Sequence, residues 1–429
     1  MSTTTEHTVI LADRVYLPHG EVLETAAVVL GGGTILWVGP ESSLPKGYRE
    51  EGSVHVPTLM PGLWDAHVHL LGLQHGAFDE ILCTPLALSA MRIVADVGRL
   101  LDAGFTSVRE MGGLGVIAGQ AIDEGSVRGP KVHAAGAMIS PTGGHADIHR
   151  YPVDFVAALS GPGFFYHQCD GVPECLRAVR LQVRAGAQVI KIATSGGVGS
   201  ERDDPEAQNF SDDEIRAIVG EANRLGLAVA AHCLGKKGTL AALDAGVTTI
   251  EHGGDIDEEV ADKMLSAGAV LVPTRLIIED ELALGAESGV PDFVLEKERR
   301  IAPRHQSSLE YAIERRIPIA LGSDSYSSRP GQAAELGRNA RELGCLARAG
   351  MRNQYVIDTA TVNGPRTLGP RAPRSGQVAV GYEADLIAVQ GEPIVDLSVL
   401  EDPSLISHVW KRGVLEKRPA TGVGNSTPF

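Results

Sequence analysis

Hydrophobic and polar positions follow two different rhythms along the chain. Near the start, VILADRVYL (9–17), AAVVLGG (26–32) and TILWVGP (34–40) alternate apolar with polar residues, and Gly31-Gly32-Gly33 supplies a turn between two of them, the pattern of short half-buried strands. The same rhythm returns in GQVAVGYEADLIAVQ (376–390) and HVWKRGVLE (408–416). Between these ends, short apolar runs recur, each followed by a polar or glycine-rich turn and a helical stretch. Eight runs stand out: GLWDA, TSVRE, KVHAAG, VIKIA, AVAAHC, TTIEH, VLVPT and IALGSD. Helical periodicity marks LSAMRIVADVGRLLDAG, ECLRAVRLQVRAGA and SDDEIRAIVGEANRLG, and Ser211 with Glu214 three residues on forms a capping-box pattern.

Eight strand-then-helix units predict an α/β fold, a (β/α)8 TIM barrel. An open doubly wound sheet is the main alternative, but no glycine-rich dinucleotide turn is present. The two strand-rich ends predict one small β-sandwich built from both termini. The expected organisation is therefore 1–57 as the first part of the sandwich, 58–360 as the barrel and 361–429 as the second part.

Composition narrows the function. Of 429 residues, 43% are hydrophobic and 21% charged, enough for a large core. The net charge of −16 with no block rich in lysine or arginine argues against nucleic acid or an anionic membrane surface as partner. No apolar stretch approaches the ~20 residues of a membrane-spanning helix. The start MSTTTEHTVILADRVYL lacks a basic region before its apolar run, so no signal peptide is expected. Five cysteines, Cys83, Cys169, Cys175, Cys233 and Cys345, fall in no paired zinc-ribbon spacing; reduced thiols in a cytoplasmic protein are expected.

In a barrel, reactive side chains collect at the C-terminal ends of the strands. His67 and His69 are placed to close the first run, Lys191 lies in the fourth, and His232, His252 and Asp324 end the fifth, sixth and eighth. Singly, each has a plain structural reading: a satisfied polar residue at a strand end, or, for Lys191, a buried ion pair. A lysine inside VIKIA must be paired, deprotonated or modified, and the joint occurrence of six metal-capable residues on these strands points to a metal site.

The segments PGLWDAHVH, VIKI, AAHCLG, IEHG and LGSD together resemble the amidohydrolase superfamily, in its prolidase-like and imidazolonepropionase-related branch, over nearly the whole chain. The resemblance implies two divalent metals, zinc by the ligand types, with His67, His69 and Asp324 on one, His232 and His252 on the other, and a carboxylated Lys191 bridging them. It implies a metal-activated hydroxide attacking a carbonyl, with Asp324 carrying the proton to the leaving nitrogen. The implied substrate is a small-molecule amide: an N-acyl amino acid, a dipeptide or an ochratoxin-like amide. A homo-oligomer is also expected. The TGGH segment nominates His145 as a second catalytic and substrate-facing residue. The branch commonly carries a histidine or tyrosine two residues after the fifth-strand histidine, whereas Leu234 stands there, so His145 is a candidate for that polarising role.

Further substrate contacts are expected from Arg109, which either clamps a carboxylate or pairs with its neighbourhood, and more weakly from Arg275. Aromatics make up only 4% of the chain, yet Tyr151, Phe155, Phe164, Phe165 and Tyr166 crowd into one region after the third run. Phe164, Phe165 and Tyr166 are expected in an apolar lid, with packing against the scaffold as the alternative. Two rival functions remain. Hydrolysis of a cyclic amide or lactone, in the manner of imidazolonepropionase, is opposed by Lys191, because that resemblance implies a single-metal site without a carboxylated lysine. A non-catalytic barrel used as a binding module predicts loss of ligands, and all six are present.

Overall fold

The computed structural model describes residues 7–48, 53–161 and 163–419; the first six and last ten residues of the expected terminal segments lie outside the described residues. The N-terminal strands are β1 (Thr8–Tyr16), β2 (Val22–Gly31), β3 (Thr34–Pro40) and β4 (Val54–Pro61). The central strands are β5 (Leu63–Leu73), β6 (Phe105–Glu110), β7 (Lys131–Ala134), β8 (Met138–Ser140), β9 (Tyr166–Gln168), β10 (Ile190–Ala193), β11 (Val229–Cys233), β12 (Thr249–His252), β13 (Val270–Val272) and β14 (Ser325–Ser327). The C-terminal strands are β15 (Leu386–Val389), β16 (Ile406–Lys411) and β17 (Val414–Lys417).

Both chain ends build one unit. Their strands form a single seven-stranded sheet in the order β17-β16-β15-β4-β1-β2-β3, rather than the two separate layers a sandwich implies. The glycine turn forms as expected: Gly31 pairs with Thr34, and Gly32 and Gly33 take φ of +59° and +79°, the pair of positive angles a two-residue hairpin requires. Ile10, Val28, Leu59, Leu386 and Trp410 share the core of this unit. β4 runs through residue 57 without a break.

The central strands lie parallel in two sheets, β14-β5-β6-β7 and β13-β12-β11-β10-β8-β9. β5 is buried along its whole length, as befits a strand covered on both faces. The third run is split: Lys131–Ala134 joins one sheet and Met138–Ser140 the other, separated at Gly136, whose φ is +73°. The eighth run forms no ladder of its own. Ile319 bridges Leu271, and pairing resumes only at Ser325–Ser327. Backbone hydrogen bonds nevertheless link the sheet edges. The Gln188 N–H donates to Ala134 O at 2.8 Å, the Ala320 N–H to Leu271 O at 2.9 Å, and the Ala66 N–H to Leu321 O at 2.7 Å.

The three expected helices form at Leu86–Asp102, Gly171–Ala185 and Asp212–Arg224. The last has the full capping box: Ser211 Oγ accepts from the Glu214 N–H while the Glu214 carboxylate accepts from the Ser211 N–H. No helix among the described residues is long and apolar enough to cross a membrane.

Candidate metal centre

At the C-terminal ends of the central strands, His67, His69 and Asp324 each bring one ligand atom within 4.8 Å of the others, a possible metal site. His67 and His69 sit within β5, which continues to Leu73, and Asp324 immediately precedes β14. Asp324 Oδ1 lies 3.4 Å from His67 Nε2 and 3.2 Å from His69 Nε2. The Asp324 N–H donates to His67 O at 2.7 Å, which ties the two strands together at the level of the ligands. The other two histidines adjoin this group. The His252 ring centroid is 5.1 Å from that of His67 and 4.5 Å from that of His232.

Each of these four histidines has one ring nitrogen within hydrogen-bond distance of an oxygen, which for His67, His69 and His232 is a carboxylate or carbonyl that can only accept. Nδ1 of His67 lies 2.7 Å from Glu251 Oε2, Nδ1 of His69 2.8 Å from Gly112 O, and Nδ1 of His252 2.7 Å from Thr274 Oγ1. His232 uses the opposite nitrogen, with Nε2 3.0 Å from Gly196 O. An N–H held by such an acceptor leaves the other nitrogen with a free lone pair, the tautomer a metal needs. Burial holds His67 down at about 4 and His232 and His252 well below the ordinary imidazole value, so all three rings are neutral near pH 7. Burial pushes the Asp324 carboxyl up, but His67, His69 and Lys191 together hold it well below the usual carboxylate range.

Lys191 is the odd group. It is 1% exposed, and its Nζ has no hydrogen-bond partner among the described residues. Burial pushes its amine down to about 8, against the pull of Glu251 and Asp324. An ammonium left bare in a protein interior is costly. This orphaned amine and the four oriented histidines fit a site built around cations and a modified lysine.

His252 and Asp324 have φ of +69° and +58°, a left-handed backbone that non-glycine residues seldom adopt and that clusters at functional sites. Behind the ligands, Asp65 accepts from the His67 N–H (3.0 Å), the Ser323 N–H and hydroxyl (3.1 and 2.6 Å) and Asn339 Nδ2 (2.8 Å). It thereby fixes the backbone of His67 itself and Ser323, the neighbour of Asp324. Neither Asp65 nor Glu251 was singled out by strand-end reasoning, though both are carboxylates inside otherwise apolar runs.

Above the group opens a cavity of about 1270 Å³, open mouth included. His145 lines it and stacks on His232 at 4.0 Å between ring centroids. His145 Nδ1 lies 3.0 Å from Ser200 Oγ, whose own hydrogen goes to Asp203 Oδ1 at 2.5 Å. Nδ1–H is therefore the donor and Nε2 the free nitrogen. Burial holds His145 down at about 4; a neutral ring of this tautomer accepts a hydrogen bond and does not donate one to a carbonyl. Gly197 is required here, since a Cβ on it would meet the His145 ring at 2.0 Å.

The remaining expected contacts divide. Phe165 lines the cavity, edge-on to His69 at 5.3 Å and stacked on Phe78 at 5.7 Å, and the buried Tyr166 lines it too. Phe164 does not; it packs against Tyr166 at 5.0 Å beside Met138 and Val156. Arg109 is fully buried, and its guanidinium bonds Glu251 (2.7 and 2.8 Å), Ala66 O and Thr249. It holds the carboxylate that orients His67, so pairing, not substrate clamping, is its place. Arg275 is likewise committed, to Glu279 and Ala302 O. Leu234 forms part of the apolar cavity wall.

Comparison with known proteins finds relatives over nearly the whole chain. The chain is 40% identical to ochratoxinase of Aspergillus niger, over 97% of this chain and 88% of that protein. The crystal structure of that ochratoxinase superposes with a TM-score of 0.90 at 39% identity, covering 98% and 97% of the two chains. A prolidase complexed with N-methylphosphonate-L-proline gives 0.86 at 32% identity over 96% of this chain and all of that one. A Xaa-Pro dipeptidase with bound methionine gives 0.82 at 29% identity over 96% and 99%. These likenesses carry the TIM-barrel fold with its α/β content. The amidohydrolase family model matches residues 58–415, a span that holds every ligand candidate and the cavity above them, and the chain belongs to that family, hydrolases acting on carbon–nitrogen bonds.

Proposed function

We propose that the protein hydrolyses the amide bond of a small molecule of the N-acyl amino acid, dipeptide or ochratoxin-like kind, at a binuclear centre. The observation that carries this reading is the set of four histidines, each with one nitrogen committed elsewhere, around the orphaned amine of Lys191. The names of the relatives, ochratoxinase and prolidase, support the same bond type.

His67, His69 and Asp324 would hold one divalent cation and His232 and His252 the other, zinc by the donor set. Lys191, carboxylated, would serve both: the ammonium first gives up a proton, the neutral amine then attacks carbon dioxide, an N–C bond forms as one C–O π bond opens onto oxygen, and a second proton leaves nitrogen, so that a two-oxygen anion stands where the cation was. When bound, the two metals supply a water acidic enough to ionise near neutral pH and an electrophile for the carbonyl oxygen. Asp324 takes the proton of the attacking water and delivers it to the amide nitrogen, so that the C–N bond breaks to a neutral amine. His145, with Nε2 free, accepts a hydrogen bond from a substrate N–H or hydroxyl; it replaces nothing at the carbonyl unless protonated.

The barrel reading takes the two central sheets as halves of one ring, joined through Gln188–Ala134 and through residues 318–324. The division at 57/58 and 360/361, cytoplasmic residence and a homo-oligomer belong to the same proposal; all five cysteines are free thiols. Hydrolysis of N-acyl amino acids and dipeptides, screened beside cyclic amides and lactones, tests the reading. Turnover confined to the cyclic compounds would replace it with ring opening.

A lid prediction follows from the split among the aromatics. Burying a bulky group against Phe165 is worth roughly 1.5–3 kcal/mol, so Phe165→Ala should cost about ten- to a hundredfold in kcat/KM on an aromatic amide while sparing an N-acetyl one. Phe164→Ala should lower Tm and leave that ratio alone. Steady-state kinetics on both substrates checks this, and equal losses for the two variants would contradict it.

A further inference from the structure

The apolar wall of the cavity contains two carboxyls. Helix Arg275–Leu284 presents Ile277, Ile278 and Glu281 to the cavity, and helix Asp292–Glu314 presents Val294, Glu298 and Ile301. Spacings of three and four residues put each glutamate on the same face as its apolar neighbours, where a leucine or isoleucine would be expected. Both are buried, at 3% and 1% exposure. The Tyr326 hydroxyl donates to Glu281 Oε1 at 3.0 Å. Glu298 Oε2, by contrast, has no hydrogen-bond partner among the described residues.

No cation of the wall neutralises this pair. Arg275, which acts on Glu298 electrostatically, directs its Nε to Glu279 and its Nη1 to Ala302 O and makes no ion pair with Glu281 or Glu298 among the described residues. The adjacent Asp280 shows the contrast, paired with Arg341 at 2.7 Å. Burial first, and for Glu298 also the nearby Glu281, holds both carboxyls above the usual range, as expected of acids without a counter-ion. Buried carboxyls of this kind are paired, coordinate a cation or serve a ligand.

We propose that Glu281 and Glu298 form the recognition site for a cationic group of the substrate, an ammonium or guanidinium at the end of an apolar stem. The stem lies along Ile277, Ile278, Val294 and Ile301, and the head meets the two carboxyls, which release their protons to solvent as the cation enters and so bind it as carboxylates. This names the substrate class within the amide-hydrolase reading and rests on it.

Two matched amide pairs test the site: N-acetyl-lysine against N-acetyl-norleucine, with the cation on the leaving amine, and lysinamide against norleucinamide, with it on the acyl part. One pair should show at least about a tenfold preference for the cation in kcat/KM, as charge-assisted hydrogen bonds give. Glu298→Gln and Glu281→Gln should cut that preference to about twofold or less while preserving turnover of the neutral member. Calorimetric binding of n-pentylammonium against 1-pentanol supplies a readout independent of hydrolysis, with the ammonium favoured in wild type and the preference lost in Glu298→Gln. Cleavage without cation preference, together with equal binding of the two probes, overturns the site. Retained ammonium preference with no amide cleaved would leave the site standing and fail the amide reading instead.

Discussion

Asp324→Asn should lower kcat by about a hundred- to ten-thousandfold with little change in KM. The change keeps the size and one ligand oxygen but removes the group that carries the proton. The loss falls on the step in which the carbonyl carbon is attacked and the nitrogen leaves, so it appears in kcat. Activity within about tenfold of wild type would mean that another group moves the proton.

Lys191→Ala should abolish activity and empty at least one metal position. The lysine is buried on β10, with no hydrogen-bond partner for its amine among the described residues, so its removal takes away the bridge and leaves only neutral imidazoles on one side. Short carboxylic acids such as acetate or propionate fit the vacated space and carry two oxygens. They should restore part of kcat in proportion to their concentration. Activity that survives the substitution, or a metal content left unchanged by it, would contradict a bridging role.

The candidate ligands were legible because each ends or interrupts an apolar run near a strand's C-terminal end, and the family resemblance then implied how they divide; the structure brings His67, His69 and Asp324 together as a possible metal site. Other features were hidden for physical reasons. Glu251 sits inside TTIEH and Arg109 inside TSVRE; as strand residues they look like ordinary alternation, and only folding shows that they pair beneath His67. Phe164 and Phe165 are adjacent in the bend that leads into β9, and only Phe165 lines the cavity; adjacency in sequence does not tell which of the two faces it. The third run reads as a single strand, yet Gly136 breaks it between two sheets. Glu281 and Glu298 sit at apolar-stripe positions of their helices, a signal that periodicity carries but that attention to strand ends passes over. The left-handed backbone of His252 and Asp324 has no sequence signature at all, since neither residue type demands it.

The central claim is a binuclear site, and elemental analysis of the purified protein tests it most directly. After reconstitution with zinc in the presence of bicarbonate and removal of loosely bound ions, the account predicts two metal ions per chain, while one ion or none per chain would contradict it.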